Sequence, residues 1–173
     1  MEVAESVLSV TMPNYLCWNI DASRNREFFD RDLDPQKPFG KQVALQAAAL
    51  APAGSFSLLR FGGSGNDYLT YGGFNGTTCP PQSEYHECMN VTWWSNLLDF
   101  TEAANARMIF GLSMNTGHDY LSSSGNTTLD LLDADDDAFP QHWDPANARA
   151  ILSWTIEKGR DDLLVGFELG NGE

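Results

Sequence analysis

Two carboxylates and an amide, Glu168, Glu173 and Asn171, lie close together near residue 173 of this chain. They follow an apolar run that begins at Leu163, which is typical of a strand buried on both faces of a parallel sheet. Because α/β enzymes place reactive groups at the carboxyl ends of such strands, a carboxylate here could act as a general acid or base, its pKa raised by burial. Charged residues without a chemical role explain the cluster equally well.

The segment LRFGGSGND, residues 59–67, places glycines after another predicted strand, as a phosphate-binding loop would. It lacks GK[ST] and an in-register GxGxxG, and no helix signal follows it directly. We therefore predict a tight turn whose glycines let the chain approach a neighbouring backbone or a ligand closely.

An acidic segment, residues 130–144, has alternating aspartates that resemble a calcium loop in spacing. Ala138 stands where that loop needs glycine, and Pro140 stiffens the segment. A solvated acidic loop is the better interpretation, and we predict neither a metal nor a cofactor.

Cys79 and Cys88 flank a polar, proline-containing segment and could form a disulfide in an oxidising compartment. The alternative is that they and Cys17 are three free thiols. No CxxC pair is present, so a structural zinc site is not expected.

Glycosylation sequons occur at Asn75, Asn90 and Asn126, each in a polar, loop-like stretch. Such triplets also arise by chance. The first ten residues show neither the basic region nor the apolar region of a signal peptide.

Acidic residues outnumber basic ones, 24 against 10, and the formal net charge is −14. A chain with this charge is not expected to bind the phosphate backbone of nucleic acid or, unaided, a heavily sulfated polyanion. Apolar residues make up 42% of the chain, and no apolar stretch is long enough to span a membrane.

Short apolar runs alternate with helical patterns, which predicts one α/β domain with a mainly parallel sheet. Strands are predicted at 15–20, 57–61, 108–112 and 163–168. Helices are predicted at 40–50, at 93–106 and from Pro145 to a C-cap at Gly159, with Asp144 as N-cap of the third. Two long connections, 62–92 and 113–143, follow strands at the edge where α/β folds carry their sites.

Five segments together resemble glycoside hydrolase family 79, the heparanase-like endo-β-glucuronidases. In chain order they are LSVTMPNYLCWNIDAS, LLRFGGSGNDYLTY, ARMIFGLSMNT, WDPANARAILSWTIEKG and VGFELGNGE. They are distributed over nearly the whole chain, from residue 8 to residue 173, and RFGGS and ELGN are specific in combination. The resemblance implies a (β/α)8 TIM barrel that hydrolyses O-glycosyl bonds of glucuronate-bearing glycans with retention, using two glutamates.

A full barrel takes about 250 residues, so four βα units are expected to form half of one. We accordingly expect residues 1–173 to be the amino-terminal half of the family's catalytic barrel, truncated near the acid/base. The family's nucleophile lies near the end of a later strand. The chain alone is therefore expected not to catalyse.

By resemblance, Asp21, Ala22 and Ser23 match the sugar-contacting segment after the first strand, and Ser64 matches a second substrate-binding position. Ser113 stands where the family more often has asparagine, with Asn115 as a poor substitute. The contacts to substrate at that strand end are therefore expected to differ from those of the family.

Asn171 matches the asparagine that precedes the family's acid/base and hydrogen-bonds a sugar hydroxyl. The next position should be glutamate but is Gly172. Either Glu173 is a displaced acid/base, or the catalytic carboxylate has been replaced. Glu168 is not the family's catalytic residue and is expected to support the sheet.

The resemblance also implies partners and a location. The expected ligand is a glycan that contains glucuronic acid, and a carboxyl-terminal half of the barrel is an expected partner. The family's basic heparan-binding clusters have no counterpart in this sequence, and together with the net charge of −14 this predicts a glycan that carries little sulfate. The expected location is secreted, lysosomal or vacuolar, or at the cell surface, with peripheral association to a membrane or to extracellular matrix.

The alternative function is a non-catalytic module that binds glycan or completes a barrel with a second polypeptide. A stable, monodisperse fold or a co-purifying partner would favour that module, whereas an isolated fragment would aggregate through its open edge. An unrelated doubly wound nucleotide-binding domain is disfavoured, since neither glycine-rich turn has phosphate-binding geometry.

Overall fold

The computed structural model describes residues 17–21, 34–51, 53–79, 87–113 and 145–170. These residues form six strands and three α-helices. The strands are β1 (Cys17–Asp21), β2 (Ser57–Gly62), β3 (Leu69–Gly72), β4 (Glu87–Asn90), β5 (Ala106–Leu112) and β6 (Leu164–Leu169). The helices are α1 (Pro38–Leu50), α2 (Val91–Ala103) and α3 (Ala146–Glu157).

The main sheet is parallel and has the order β1-β2-β5-β6. All four of its strands overlap with predicted ones, and their ends agree with the prediction to within two residues. The α/β architecture with a parallel sheet is confirmed. The strands follow one another across the sheet in the order in which they occur in the chain. This order is the one that four successive βα units of a barrel would have, and closure into a barrel stays a prediction.

A second, two-stranded parallel sheet pairs β3 with β4, and neither strand was predicted. Both are four residues long and lie inside the connection between β2 and α2. Each strand is too short to show a periodicity, and the surrounding glycines and prolines favour turns. Tertiary packing decides their conformation, since every residue of β3 is buried.

The prediction for α2 was wrong at both ends. The helix begins earlier, at Val91, because the Asn90 side chain accepts a hydrogen bond from the Trp93 backbone N–H and caps it. It ends earlier, at Ala103, because Asn105 adopts a left-handed φ of 46° and Ala106 already pairs with Ser57 of β2.

The other two helices differ from prediction by a few residues. Helix α1 begins at Pro38, since proline is compatible with the first helical turn. Helix α3 begins at Ala146, so Pro145 is its N-cap rather than its first residue, and Asp144 lies outside the described residues. Lys158 is the C-cap, and Gly159 follows it with a φ of 64°, the usual place for a left-handed glycine.

The core lies between the main sheet and the helices, and aromatic rings dominate it. Phe110 of β5 contacts Trp94 edge to face at 4.8 Å between ring centroids, and it stacks on Phe61 at 5.9 Å. The Trp94 indole donates to the Thr155 hydroxyl over 2.8 Å, so α2 and α3 are joined by a satisfied buried polar contact. This packing fixes the carboxyl ends of β2 and β5 relative to the helices.

Apolar side chains remain exposed on the last strand. Val165, Phe167 and Leu169 of β6 are each about half exposed. Phe167 is the register partner of the buried Phe110, so this apolar row lies on the helix side of the sheet. In the described part of the chain, no helix is both long and apolar enough to cross a membrane.

Candidate active-site edge

The carboxyl ends of the four main strands form one edge of the sheet. Asp21 at the end of β1 is paired with Gly62 of β2, and Leu112 at the end of β5 is paired with Leu169 of β6. Parallel α/β folds carry their sites at this edge. We call it the carboxyl edge.

Asp21 is held against the turn that follows β2. Gly63 has a φ of 102° and a ψ of 172°, a conformation that is essentially restricted to glycine. A Cβ atom on Gly63 would lie 2.5 Å from Cγ of Asp21 and 2.6 Å from each carboxylate oxygen. The RFGGS glycines predicted a close approach to a neighbouring backbone or a ligand, whereas at Gly63 the approach is to a side chain, the Asp21 carboxylate.

Ser64 follows Gly63 directly and is exposed, at the start of a 3-10 helix, Ser64–Tyr68. The structure therefore brings together two of the predicted sugar-contacting residues, Asp21 and Ser64, at the ends of adjacent strands. An exposed carboxylate and an exposed hydroxyl there can accept and donate hydrogen bonds to a polyhydroxylated ligand.

Asn66, in the same 3-10 helix, is a residue that sequence reasoning missed. It is buried, and its side-chain amide donates to the Gly111 carbonyl over 2.6 Å and to the Phe61 carbonyl over 3.4 Å. These bonds tie the ends of β2 and β5 together. The available signal was a lone asparagine in a glycine-rich turn after a strand, which is too common to be specific.

Ser113, directly after β5, is buried, and its hydrogen bonds stabilise the fold. Its backbone N–H donates to the Tyr71 hydroxyl over 2.9 Å, and its own hydroxyl donates to the Asp67 carbonyl over 2.9 Å. Burial raises the pKa of the Tyr71 phenol far above its usual value, against the opposing effect of the Ser113 N–H. Ser113 thus joins the β3–β4 sheet to the carboxyl edge.

An ion pair lies on the opposite face of the sheet from the helices, just below the carboxyl edge. Arg60 Nε donates to the two Glu168 oxygens at 3.0 and 2.7 Å, and its Nη2 lies 2.7 Å from Oε2. Arg60 Nη1 also donates to Asn19 Oδ1 over 2.8 Å. We call these three residues the Arg60 bridge.

The Arg60 guanidinium packs against Gly62, where a Cβ atom would lie 2.9 Å from the guanidinium carbon. The bridge connects β1, β2 and β6. Glu168 therefore has the supporting position that its expected role requires.

The chain continues past β6 through Gly170, which has a φ of 70° and whose N–H donates to the Leu112 carbonyl over 3.1 Å. This bond extends the pairing with β5 to the carboxyl edge. Ala22 and Ser23 of the expected sugar-contacting segment lie outside the described residues, as do Asn171 and the acid/base candidate Glu173.

A disulfide joins Cys79 to Cys88 with a Cα separation of 5.6 Å, whereas Cys17 is free and exposed. The bridge packs on Gly72, where a Cβ would lie 2.5 Å from the Cys79 sulfur. It fixes the segment after β3 to β4 and hence to the start of α2.

The sequon asparagines have different settings. Asn75 lies in an exposed turn, Asn90 caps α2 and is not in a loop as predicted, and Asn126 lies outside the described residues.

No group of three or more histidine, cysteine, aspartate or glutamate side chains within the described ranges could hold a metal ion. The acidic segment 130–144 lies outside those ranges. A surface depression of about 430 Å³ lies between α1 and α2, beside Lys41, Asp99 and Glu102. It lies near the carboxyl end of α2 and so does not belong to the carboxyl edge.

Residues 43–173 match the family model described as glycosyl hydrolase family 79, N-terminal domain. The match covers well over half of the chain and includes β2, β5, β6 and the Ser64 turn. The chain belongs to glycosyl hydrolase family 79. No curated protein matches it.

Family 79 membership makes this chain part of a glycoside hydrolase family and makes a glycan the expected class of substrate. The matched region begins at Val43 and so excludes β1. In the three-dimensional structure, the pairing of Asp21 with Gly62 and its contact with Gly63 connect it to the family 79 region of the chain.

Proposed function

We propose that this family 79 chain supplies the glycan-binding edge of a retaining hydrolase that acts on glucuronate-bearing glycans. The observation that carries the proposal is the contact of the Asp21 carboxylate with Gly63, beside the exposed Ser64, at the carboxyl edge. In a family of glycoside hydrolases, exposed polar groups at this edge are the natural contacts for sugar hydroxyls.

Asp21 and Ser64 would bind the ligand in different ways. An ionised carboxylate accepts hydrogen bonds from two neighbouring hydroxyls, and the Ser64 hydroxyl both donates and accepts. Because Gly63 has no side chain, the Asp21 carboxylate can lie against the turn beside Ser64, where both groups could contact one ligand.

Hydrolysis with retention needs two carboxyl groups about 5 to 5.5 Å apart, one as acid/base and one as nucleophile. Glu173 is our candidate for a displaced acid/base, with Asn171 beside it in sequence. The resemblance implies that the nucleophile belongs to a later strand. We therefore expect residues 1–173 to bind glycan and not to hydrolyse it.

The net charge of −14 favours a glycan with few sulfate groups, because like charges repel at the range over which the protein field acts. The Cys79–Cys88 disulfide favours an oxidising, extracellular or lysosomal setting. Peripheral association with a membrane or with extracellular matrix rests on the resemblance.

A barrel-completing role has an observation in its favour. The apolar row Val165, Phe167 and Leu169 is about half exposed on the edge strand β6. Parallel sheets are normally covered on both faces and extended at exposed edges. Further βα units, on this chain or on a partner, would cover that row.

Titration calorimetry of residues 1–173 with an unsulfated oligosaccharide that contains glucuronic acid tests the proposal. We expect binding that Asp21→Asn weakens about tenfold, the effect of about 1.4 kcal/mol lost from one charged hydrogen-bonding group. Asp161→Asn, in the turn before β6, is the matched control and should not change the affinity. Equal affinities for the wild type and Asp21→Asn would exclude the role of Asp21.

An aryl β-glucuronide tests the inactivity of the isolated chain. We expect no release of glucuronate. Release that is lost in Glu173→Gln would show instead that Glu173 is a working acid/base.

A further inference from the structure

Two N-x-Thr sequons lie in the described part of the chain, and the structure gives them different roles. One begins at Asn75 and ends at Thr77, and the other begins at Asn90 and ends at Thr92. An N-linked glycan on a folded protein needs an asparagine amide that is exposed and directed away from the protein. The two asparagines differ in this respect.

Asn75 and Gly76 are the two central residues of a tight turn. Both have positive φ, 46° and 88°, and the Thr77 N–H donates to the Phe74 carbonyl over 2.9 Å. These are the features of a type I′ turn. The Thr77 hydroxyl donates to the same Phe74 carbonyl over 2.7 Å, so the sequon threonine holds the turn closed.

The turn is anchored on one side and open on the other. Phe74 is fully buried and contacts Trp154 of α3 edge to face at 5.8 Å. Asn75, the next residue, is exposed, and its amide forms no hydrogen bond with the described residues. The structure thus exposes the Asn75 amide to solvent, and the hydrogen-bonded turn does not cover it.

Asn90 is engaged in the fold. Its side-chain oxygen accepts from the Trp93 N–H over 2.9 Å, its side chain is only partly exposed, and Trp93 itself is buried. A glycan on its amide nitrogen would have to leave the protein from a restrained side chain at a packed helix end.

The setting of the Asn75 turn fits the secretory route along which N-glycosylation takes place. The disulfide partner Cys79 follows Thr77 by two residues, and disulfides persist in oxidising compartments. The turn and Cys79 belong to the same segment between β3 and β4, and Cys88 lies in β4.

We propose that Asn75 is the N-glycosylation site of this segment and that Asn90 is not modified in the folded protein. The donor is an oligosaccharide linked to a lipid diphosphate. A bond forms between the Asn75 amide nitrogen and C1 of the first sugar, the bond from C1 to the diphosphate oxygen breaks, the amide loses one proton, and the lipid diphosphate leaves. This proposal is independent of the proposed glycan-binding function.

The test is expression of residues 1–173 behind a secretory leader in a eukaryotic host, with peptide mapping of both the secreted and the membrane-enclosed fractions. Peptide N-glycosidase converts a glycosylated asparagine to aspartate, which identifies each site. We expect conversion at Asn75 and none at Asn90. Asn126 is scored separately by the same map.

Two matched variants assign the glycan. Asn75→Asp removes the acceptor and keeps a residue that tolerates the left-handed turn, so it should lose one glycan. Thr92→Ala removes the second sequon at an exposed position and leaves the Asn90 cap intact, so it should change nothing. An unmodified Asn75 in chains that have entered the secretory compartment, or a glycan on Asn90 in folded protein, would overturn the proposal.

Discussion

Arg60 holds both carboxylate oxygens of Glu168 although their strands, β2 and β6, are separated in the sheet by β5. The shortest contacts, Nε and Nη2 to Oε2, are each 2.7 Å. A guanidinium that binds a carboxylate in this way is geometrically restrained, because two parallel hydrogen bonds fix its plane. The Arg60 bridge therefore links the second and fourth strands of the main sheet across β5.

We predict that Glu168→Gln lowers the free energy of unfolding by about 1 to 2 kcal/mol. This range is lower than the usual contribution of a charged hydrogen bond to stability, because the side chains of Arg60 and Glu168 are both partly exposed. Denaturant unfolding measures the change. Glu157→Gln, whose ion pair among the described residues is with the exposed Lys158, is the control and should cost less than about 0.5 kcal/mol. Equal costs for the two variants would contradict the role of the bridge.

We predict that Gly63→Ala is more harmful than Gly54→Ala. Both glycines have positive φ, but a Cβ on Gly54 meets nothing within 4 Å, whereas a Cβ on Gly63 meets the Asp21 carboxylate. The Gly63 conformation alone costs about 1 to 3 kcal/mol for a non-glycine residue. Thermal unfolding of both variants measures the difference.

The double variant Gly63→Ala with Asp21→Ala separates the two causes. If the clash with Asp21 contributes, the second substitution should restore part of the lost stability. Strict additivity of the two changes would show that backbone strain accounts for the whole effect.

We predict that loss of the Cys79–Cys88 disulfide lowers the free energy of unfolding by about 2 to 3 kcal/mol, the chain-entropy value for a loop of about ten residues. The double variant Cys79→Ala with Cys88→Ala, compared with the wild type under oxidising conditions, measures the loss. Cys17→Ser is the control, since Cys17 is free and exposed. Reductant should lower the free energy of unfolding of the wild type and leave that of the double variant unchanged. Any other dependence of these two values on reductant would mean that the disulfide does not form.

We predict that Tyr71→Phe lowers the free energy of unfolding by about 1 to 3 kcal/mol at neutral pH, because the buried Ser113 N–H loses its hydrogen-bond acceptor. The difference in the free energy of unfolding between the wild type and Tyr71→Phe should become smaller above about pH 10. Burial raises the pKa of Tyr71 in the folded state above its unfolded value near 10, so the wild type binds more protons when folded and loses stability as pH rises.

Denaturant unfolding of both proteins between about pH 8 and pH 11 measures this difference in the free energy of unfolding. Above the pKa of Tyr71 in the unfolded state, the difference should decrease by up to about 1.4 kcal/mol per pH unit. A difference that stays constant over this range would mean that the Tyr71 phenol ionises as easily in the folded state as in the unfolded state.

Sequence alone predicted the elements with strong local signals. Each main strand is a short apolar run, which hydrophobic burial favours. Helix α3 has proline at its start and glycine just after its end, where backbone sterics favour these residues. Both signals lie within a few residues of the element that they predict. The ends of α2 were wrong because Asn90 and Asn105 act through a cap and a left-handed turn, which asparagine adopts only in suitable surroundings. Strands β3 and β4 were missed because they are stabilised by burial rather than by their own pattern.

For the candidate site, sequence motifs were sufficient to identify the residue types at the carboxyl edge and the family to which they belong, since RFGGS and ELGN are local motifs. Which side chains contact one another depends on the three-dimensional arrangement of the strands. Asp21 reaches Gly63, Ser113 reaches Tyr71, and Arg60 reaches Glu168, across 42 to 108 residues of chain in the last two pairs. Such contacts depend on strand order and register, and these follow from packing of the whole sheet against its helices, which no short stretch of sequence contains.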